Sequence, residues 1–244
     1  MIYYTLDGSD PRGADDQPSV SAKQIASSTL NVTELVKEDS PVRALIPSDG
    51  SLKMEWIQRE FAVSGDWMRG KAPVGYETNS GYQGIISLDV RRPMFRQNTS
   101  LYVRYEFSIA EELDDADTVI LQMKFDDGFV AYLDGKKIAS RNAPFRPSWN
   151  SSASGDNSDG RAVNFEDFHL QSGSLEKGNH VLAIHALDGR SSSDFLMAAR
   201  LVAQRFSGES LEIQKPTQVI MRTYDPVEKL WSGFRTATFR TKSP

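Results

Sequence analysis

Hydrophobic and polar positions alternate most cleanly at Ser-Leu-Tyr-Val-Arg-Tyr-Glu-Phe-Ser-Ile. Leu101, Val103, Tyr105, Phe107 and Ile109 fall on one face, and Tyr102, Arg104 and Glu106 on the other. A period of two predicts a half-buried strand. The stretch from Met123 to Ser140 predicts a meander of three short strands. Phe125 leads into the turn Asp126-Asp127-Gly128, Phe129 to Leu133 resumes a β-rich run, and Asp134-Gly135 closes a two-residue hairpin whose central positions tolerate positive φ. Further strands are expected at Ile2 to Leu6, from Asn31 through Val36, near Val42, and at Val119 to Phe125. Phe165 to Leu170, His180 to Ala186 and Phe195 to Ala203 complete the set, with Gly178-Asn179 as a turn signal before His180. Pro41 argues for an edge or a break. Only Glu34 to Lys37 and Trp56 to Phe61 read as helical turns. Residues 66–82 and 142–161 read as loops, and a polar loop as long as the second is commonly functional or mobile.

This is an all-β pattern, and 244 residues leave room for one large β domain or two smaller ones. A net charge of −5 supplies no global field for nucleic acid. No run approaches the ~20 apolar residues of a membrane span. Met1 is followed directly by strand residues rather than a charged-then-apolar leader, which reads as a piece of a longer polypeptide. The absence of cysteine favours a bacterial protein over a disulfide-bearing eukaryotic secreted domain.

Ile-Tyr-Tyr-Thr-Leu-Asp-Gly-Ser-Asp-Pro-Arg at the start resembles the signature of the chitobiase/β-hexosaminidase C-terminal-type domain, a small immunoglobulin-like module of secreted bacterial hydrolases and surface proteins. The matching partner pieces lie at the far end: Val219-Ile-Met-Arg-Thr-Tyr224, Leu230-Trp-Ser232 and Ala237-Thr-Phe239. The resemblance implies one module, residues 1–13 and 210–244, interrupted by an insertion, with Ile2 to Leu6 pairing with Val219 to Tyr224. Residues 14–28 are expected to be a linker, and 29–209 the inserted domain.

That insertion resembles the galactose-binding-like jelly rolls of large secreted bacterial proteins. The likeness rests on the Tyr-Val-Arg-Tyr-Glu-Phe entry strand, Asp126-Asp-Gly-Phe-Val-Ala-Tyr-Leu-Asp-Gly135, Ala139-Ser-Arg-Asn-Ala-Pro144, Gly178-Asn-His-Val-Leu-Ala-Ile184 and Ser191-Ser-Ser-Asp-Phe195. The upstream Ala72-Pro-Val-Gly-Tyr76 fits as well. The Asp-Asp-Gly turn also resembles the core of the PA14 family. In its sugar-binding members adjacent aspartates hold a calcium ion that contacts the glycan, which implies Asp126 and Asp127 as metal ligands here.

Read for chemistry, adjacent carboxylates can point at one hard cation that wants six to eight oxygens, and Asp156, Asn157, Ser158 and Asp159 could add to such a cage. The same residues also make a good solvated turn. Sugar recognition needs an aromatic platform and planar polar side chains. Trp149, with Arg141, Asn142 and Asn150 near it in sequence, has that composition, and Tyr76, Tyr82 and Trp67 are further candidate rings. His180 and His185 stand five apart on one strand and face opposite sides. There is no nucleophile elbow, phosphate loop or zinc-protease helix. The expectation is a non-catalytic, secreted or cell-surface carbohydrate-binding module, with calcium as a candidate cofactor. A polysaccharide and the rest of a larger parent chain are the expected partners. The alternative is a structural or adhesive spacer with no small ligand.

Overall fold

The computed structural model describes residues 1–25, 29–113, 117–170, 175–207 and 213–240. In chain order it begins with β1 (Ile2–Thr5) and β2 (Lys23–Gln24). Twelve strands follow: β3 (Thr29–Val36), β4 (Pro41–Leu45), β5 (Met68–Lys71), β6 (Val74–Glu77), β7 (Leu88–Asp89), β8 (Ser100–Ile109), β9 (Thr118–Asp126), β10 (Gly128–Leu133), β11 (Lys136–Arg141), β12 (Glu166–His169), β13 (Gly178–Leu187) and β14 (Asp194–Ser207). The chain ends with β15 (Thr217–Asp225), β16 (Leu230–Trp231) and β17 (Arg235–Phe239). Helix is confined to a 3-10 turn at Glu55–Ile57 and single turns α1 (Arg91–Met94) and α2 (Asp159–Ala162).

Two compact units result, Met1–Asn31 with Phe206–Pro244, and Val32–Arg205. In the first, β1 pairs antiparallel with β15, Ile2 opposite Thr223 and Thr5 opposite Ile220, so the two chain ends share one sheet, as the sequence predicts. Its described strands form a single five-stranded sheet of order β16-β15-β1-β2, with β17 on β15. The segment expected as a linker is built into this unit: β2 pairs with β1, Gly13 N donates to Gln17 O at 2.7 Å, and Ser19 N donates to Pro11 O at 2.8 Å. Residues 26–28 of that segment lie outside the described residues. The unit is tied internally by Arg222, whose Nε and a terminal nitrogen donate to Asp10 at 2.7 and 2.6 Å, and by Trp231, which packs on Tyr224 and Tyr3.

The large unit is a jelly-roll sandwich of two six-stranded sheets, β11-β10-β13-β8-β4-β5 and β12-β9-β14-β6-β7 with β3 on β14. Alternating residues of β8, β9, β10, β13 and β14 fill the space between them, including Leu101, Val103, Leu121, Phe129, Ile184 and Phe195, each fully or almost fully buried. Burial of side chains this size stabilises by ~1.5–3 kcal/mol apiece.

The outer face of the first sheet is also covered. The connection from β4 to β5 lays Trp56, Ile57 and Trp67 on Tyr102, Val130, Tyr132, Val181 and Ala183 as a second cluster. Tyr102 and Arg104, expected on a polar face of a half-buried strand, are therefore buried. Arg104 donates to the carbonyls of Trp56 and Gln58, fixing that cover in place. Strands covered on both faces read as near-continuous apolar runs.

Other expectations are corrected by pairing. Glu34 to Lys37 is not a helical turn, because Glu34 to Val36 are the last residues of β3, a strand that pairs with β14. Residues 66–82 are not all loop: β5 and β6 lie there, and the four residues of β6 are all buried. Asp134-Gly135 is the expected hairpin, with φ of 47° and 85°. Asp126-Asp127-Gly128 is not a hairpin turn, because β9 and β10 belong to different sheets and the chain crosses from one layer to the other at Asp127.

Candidate functional site

The layer crossing places carboxylates from five elements at one end of the sandwich. Asp126 ends β9 and Asp127 is the crossing residue, joined to it by a cis peptide. Asp188 follows β13, Asp194 opens β14, Glu77 ends β6 and Asp159 opens α2. The corner is tight: a Cβ at Gly128 would stand 2.6 Å from the Asn142 carbonyl oxygen, so glycine is required by contact. Asp127 N donates to Leu187 O at 3.1 Å, and its carboxylate accepts Asn157 N at 3.1 Å. Its other carboxylate oxygen faces Gly189, where a Cβ would come within 2.7 Å. Asn157 Nδ2 donates to Phe125 O at 2.7 Å, and Asn142 Nδ2 donates to Asp127 O at 2.9 Å. The polar loop is thereby tied to the acidic corner.

Electrostatically this is an unbalanced cup. No Lys, Arg or His makes an ion pair with Glu77, Asp126, Asp127, Asp159, Asp188 or Asp194 among the described residues. Asp126 and Asp188 are 3% and 1% exposed, and Asp126 Oδ2 and Asp188 Oδ1 have no hydrogen-bond partner. Burial raises the carboxyl of Asp126 well above the usual carboxylate range, and the Asp127 carboxylate beside it adds to the rise. Burial likewise pushes Asp188 up to about 8, against the stabilising hydrogen bond that Tyr76 OH donates at 2.7 Å. Asp194 is raised too, by burial first, and Ser192 Oγ, which donates to it at 3.1 Å, offsets part of that.

One carboxylate oxygen each from Asp126, Asp159 and Asp194 lies within 4.8 Å of the others. Calcium–oxygen distances of about 2.3–2.6 Å put oxygens on opposite sides of one ion about 4.6–5.2 Å apart. The donor set is all oxygen, mixed in exposure and short of counter-charge, which fits a hard divalent cation. Asp126 is common to the sequence expectation and this triad. Asp127 faces the same cup, while Asp159 comes from the polar loop and Asp194 from the Ser-Ser-Ser-Asp-Phe run. Glu77 and Asp188 carry no local signal that marks them in the sequence.

Beside the cup is a cleft of about 310 Å³, lined by Tyr76, Arg96, Trp149, Asn150, Asp188 and Arg190 among others. Trp149 and Asn150 thus share a concave surface. Asn142 serves the loop instead, through Asp127 O and Asp156 O. Arg141 is not at the cleft: its Nε donates to Glu166 at 2.7 Å and its guanidinium stacks over Phe168 at 5.1 Å. Tyr76 and Tyr82 are 2% and 1% exposed, so neither ring offers a stacking face. Tyr76 reaches the cleft wall and holds Asp188, whereas Tyr82 packs with Leu196 and Ala162. Trp67 is buried in the outer cluster. Arg96 and Arg190 were not singled out in the sequence, being lone arginines in loops with no distinguishing pattern.

No family model matches the chain, and no curated protein matches it. Solved structures similar to it include an uncultured Clostridium sp. beta-glucuronidase, with 9% identity, a TM-score of 0.43, and 85% of this chain and 34% of that one covered. A Bacteroides uniformis beta-glucuronidase aligns with 10% identity and a TM-score of 0.45, over 86% of this chain and 26% of that one. A Ruminococcus gnavus beta-glucuronidase aligns with 8% identity and a TM-score of 0.46, over 88% and 40%. The chain thus spans well under half the length of these three structures.

Proposed function

We propose that the large unit is a non-catalytic carbohydrate-binding module whose glycan site is the cleft at Trp149 and Asn150, next to a calcium-holding acidic cup. The observation that carries this reading is the juxtaposition itself. A half-buried indole, amides and two arginines line a concavity whose inner wall is Asp188, a carboxylate with one oxygen unpartnered. Indole faces shed water onto sugar C–H groups, and amides and guanidinium groups match hydroxyl pairs. Calcium would be held by Asp126, Asp159 and Asp194 with Asp127 alongside, and would supply the counter-charge this cup lacks. The residue resemblances to galactose-binding-like and PA14 jelly rolls support the same reading, and the sequence resemblance of the two chain ends to a chitobiase-type module supports a place within a larger secreted or cell-surface bacterial protein. No helix of the described residues is long and apolar enough to cross a membrane.

The test is a polysaccharide and glycan array probed with the purified chain, in calcium and in chelator, alongside Trp149→Ala. Binding that is lost in chelator and lost in Trp149→Ala is the expected result. Binding indifferent to chelator separates the cup from the cleft. Silence throughout favours the spacer role.

A further inference from the structure

Trp149 lines two cavities. Besides the cleft toward Asp188, it walls a second cavity of about 240 Å³ together with Met54, Trp56, Tyr102, Tyr132 and His185. The second cavity sits on the outer cluster of the first sheet. Its floor is rigid: the rings of Trp56 and Tyr102 stack with centroids 4.0 Å apart and an interplanar angle of 7°. His185 meets both rings edge-on, at 6.4 and 4.9 Å. Tyr132 stands edge-on to Trp56 at 6.2 Å.

The polar atoms of this cavity point to a ligand. Tyr102 and Tyr132 are 5% and 7% exposed, and both line the cavity. Among the described residues neither hydroxyl has a protein hydrogen-bond partner, and neither belongs to the fully enclosed unpartnered polar atoms, so both open onto the cavity and are available to a ligand. Aromatic walls with free hydroxyls suit a ring that is apolar on its faces and hydroxylated at its edge, which describes an uncharged sugar. Size argues further. Small-molecule sites run from about 300 Å³ upward, so the cleft stands at that limit and the second cavity below it. Sharing the Trp149 wall, the two together fall within the range.

We propose that the aromatic cavity is a second sugar subsite continuous with the first across Trp149, so that the module selects an oligosaccharide chain over a monosaccharide. The inference rests on the carbohydrate reading above and adds to it the chain-length preference and the residues Met54, Trp56, Tyr102 and Tyr132. The first unit occupies the polar cleft, the chain passes Trp149, and the next unit sits in the aromatic cavity against the ring edges and hydroxyls of Tyr102 and Tyr132.

Calorimetric titration with gluco-, xylo-, manno- and N-acetylglucosamine oligosaccharides, from monosaccharide to hexasaccharide, tests it. The native chain gains affinity at least about tenfold when a one-unit ligand is extended, with a plateau after the second subsite fills. Met54→Trp, at a residue 48% exposed on the lining, fills the cavity and cuts that gain below about threefold, leaving the shortest ligand's affinity unchanged. Tyr132→Phe, which keeps the ring, lowers the gain without altering the unfolding midpoint and covers the case of a misfolded tryptophan variant. Affinity independent of chain length, or a full gain in both folded variants, overturns the second subsite while leaving the cleft intact. Absence of binding by every oligosaccharide overturns the carbohydrate reading itself, and this inference with it.

Discussion

Acidification should withdraw the share of stability that rests on one buried imidazole. His185 is 3% exposed, with Nε2 on Ser100 Oγ at 2.8 Å and its ring against Trp56 and Tyr102. Burial depresses its pKa from 6.5 to about 3, so the folded chain holds it neutral. In the unfolded chain the ring returns to its ordinary range near 6.5. Between these values the unfolded chain binds a proton that the folded chain refuses, so stability is complete above about pH 6.5 and falls as pH drops toward 3. Each pH unit in that window costs about 1.4 kcal/mol, and moving to pH 5 therefore removes about 2 kcal/mol. Urea unfolding followed by tryptophan fluorescence, at pH 7 and pH 5, measures the net change, to which the raised carboxyls of Asp126 and Asp188 contribute with the opposite sign. His185→Gln keeps a polar partner for Ser100 and cannot titrate, so on going from pH 7 to pH 5 its unfolding free energy ends about 2 kcal/mol higher, relative to its pH 7 value, than that of the native chain. The carboxyls of Asp126 and Asp188 are common to both proteins and cancel in the difference. Equal changes in the native chain and His185→Gln would refute the reasoning, because the slope depends on proton uptake and not on the variant's starting stability.

Two further outcomes follow from contacts. A Cβ at Gly75 would stand 2.1 Å from the Phe195 carbonyl oxygen on the paired strand, so Gly75→Ala separates β6 from β14 and costs at least about 3 kcal/mol by urea unfolding. Calcium at about a hundred times its Kd raises unfolding free energy by about 2.7 kcal/mol. Asp126→Asn with Asp194→Asn abolishes that rise, and an undiminished rise in the double variant places the ion elsewhere.

What could be read from the sequence divides along the range of the forces involved. The Asp134-Gly135 turn was legible because positive φ is a local requirement. The inner face of β8 was legible because period two is a property of the strand alone. Its outer face was not: Tyr102 and Arg104 are buried by a connection carrying Trp56, and no periodicity in β8 announces a cover arriving from elsewhere. Asp126-Asp127-Gly128 carries good turn chemistry, yet whether such a corner makes a hairpin or crosses between layers depends on which strands take β9 and β10 as partners. The site shows the same division. Asp126 and Asp127 announce themselves by adjacency, whereas Asp188 and Asp194 reach the cup only through the register of β13 and β14. Arg141 shows the converse. It lies near Trp149 in sequence, but β11 carries it to Glu166, and Asn142, with φ of 46°, turns the loop away.

Asp188 decides how the cup and the cleft depend on each other. Its side chain takes the Tyr76 hydroxyl, its amide donates to Thr99 O at 2.9 Å, and its carbonyl accepts Ala153 N at 3.0 Å. Tyr76 and Thr99 both line the cleft, so the residue at the back of the proposed glycan site also belongs to the acidic cup. Left without a cation, the cup must keep Asp188 protonated or bear a charge with one oxygen unpartnered, and burying such a charge costs several kcal/mol. A domain whose whole stability is about 5–15 kcal/mol has little margin for that cost. On the proposed reading, calcium relieves it, and the benefit reaches the cleft through Asp188 and Tyr76 without any need for the ion to touch the sugar. Calcium dependence of glycan binding with no change in sugar preference is the signature of this indirect route, whereas a change in preference on exchanging the ion would mean direct contact.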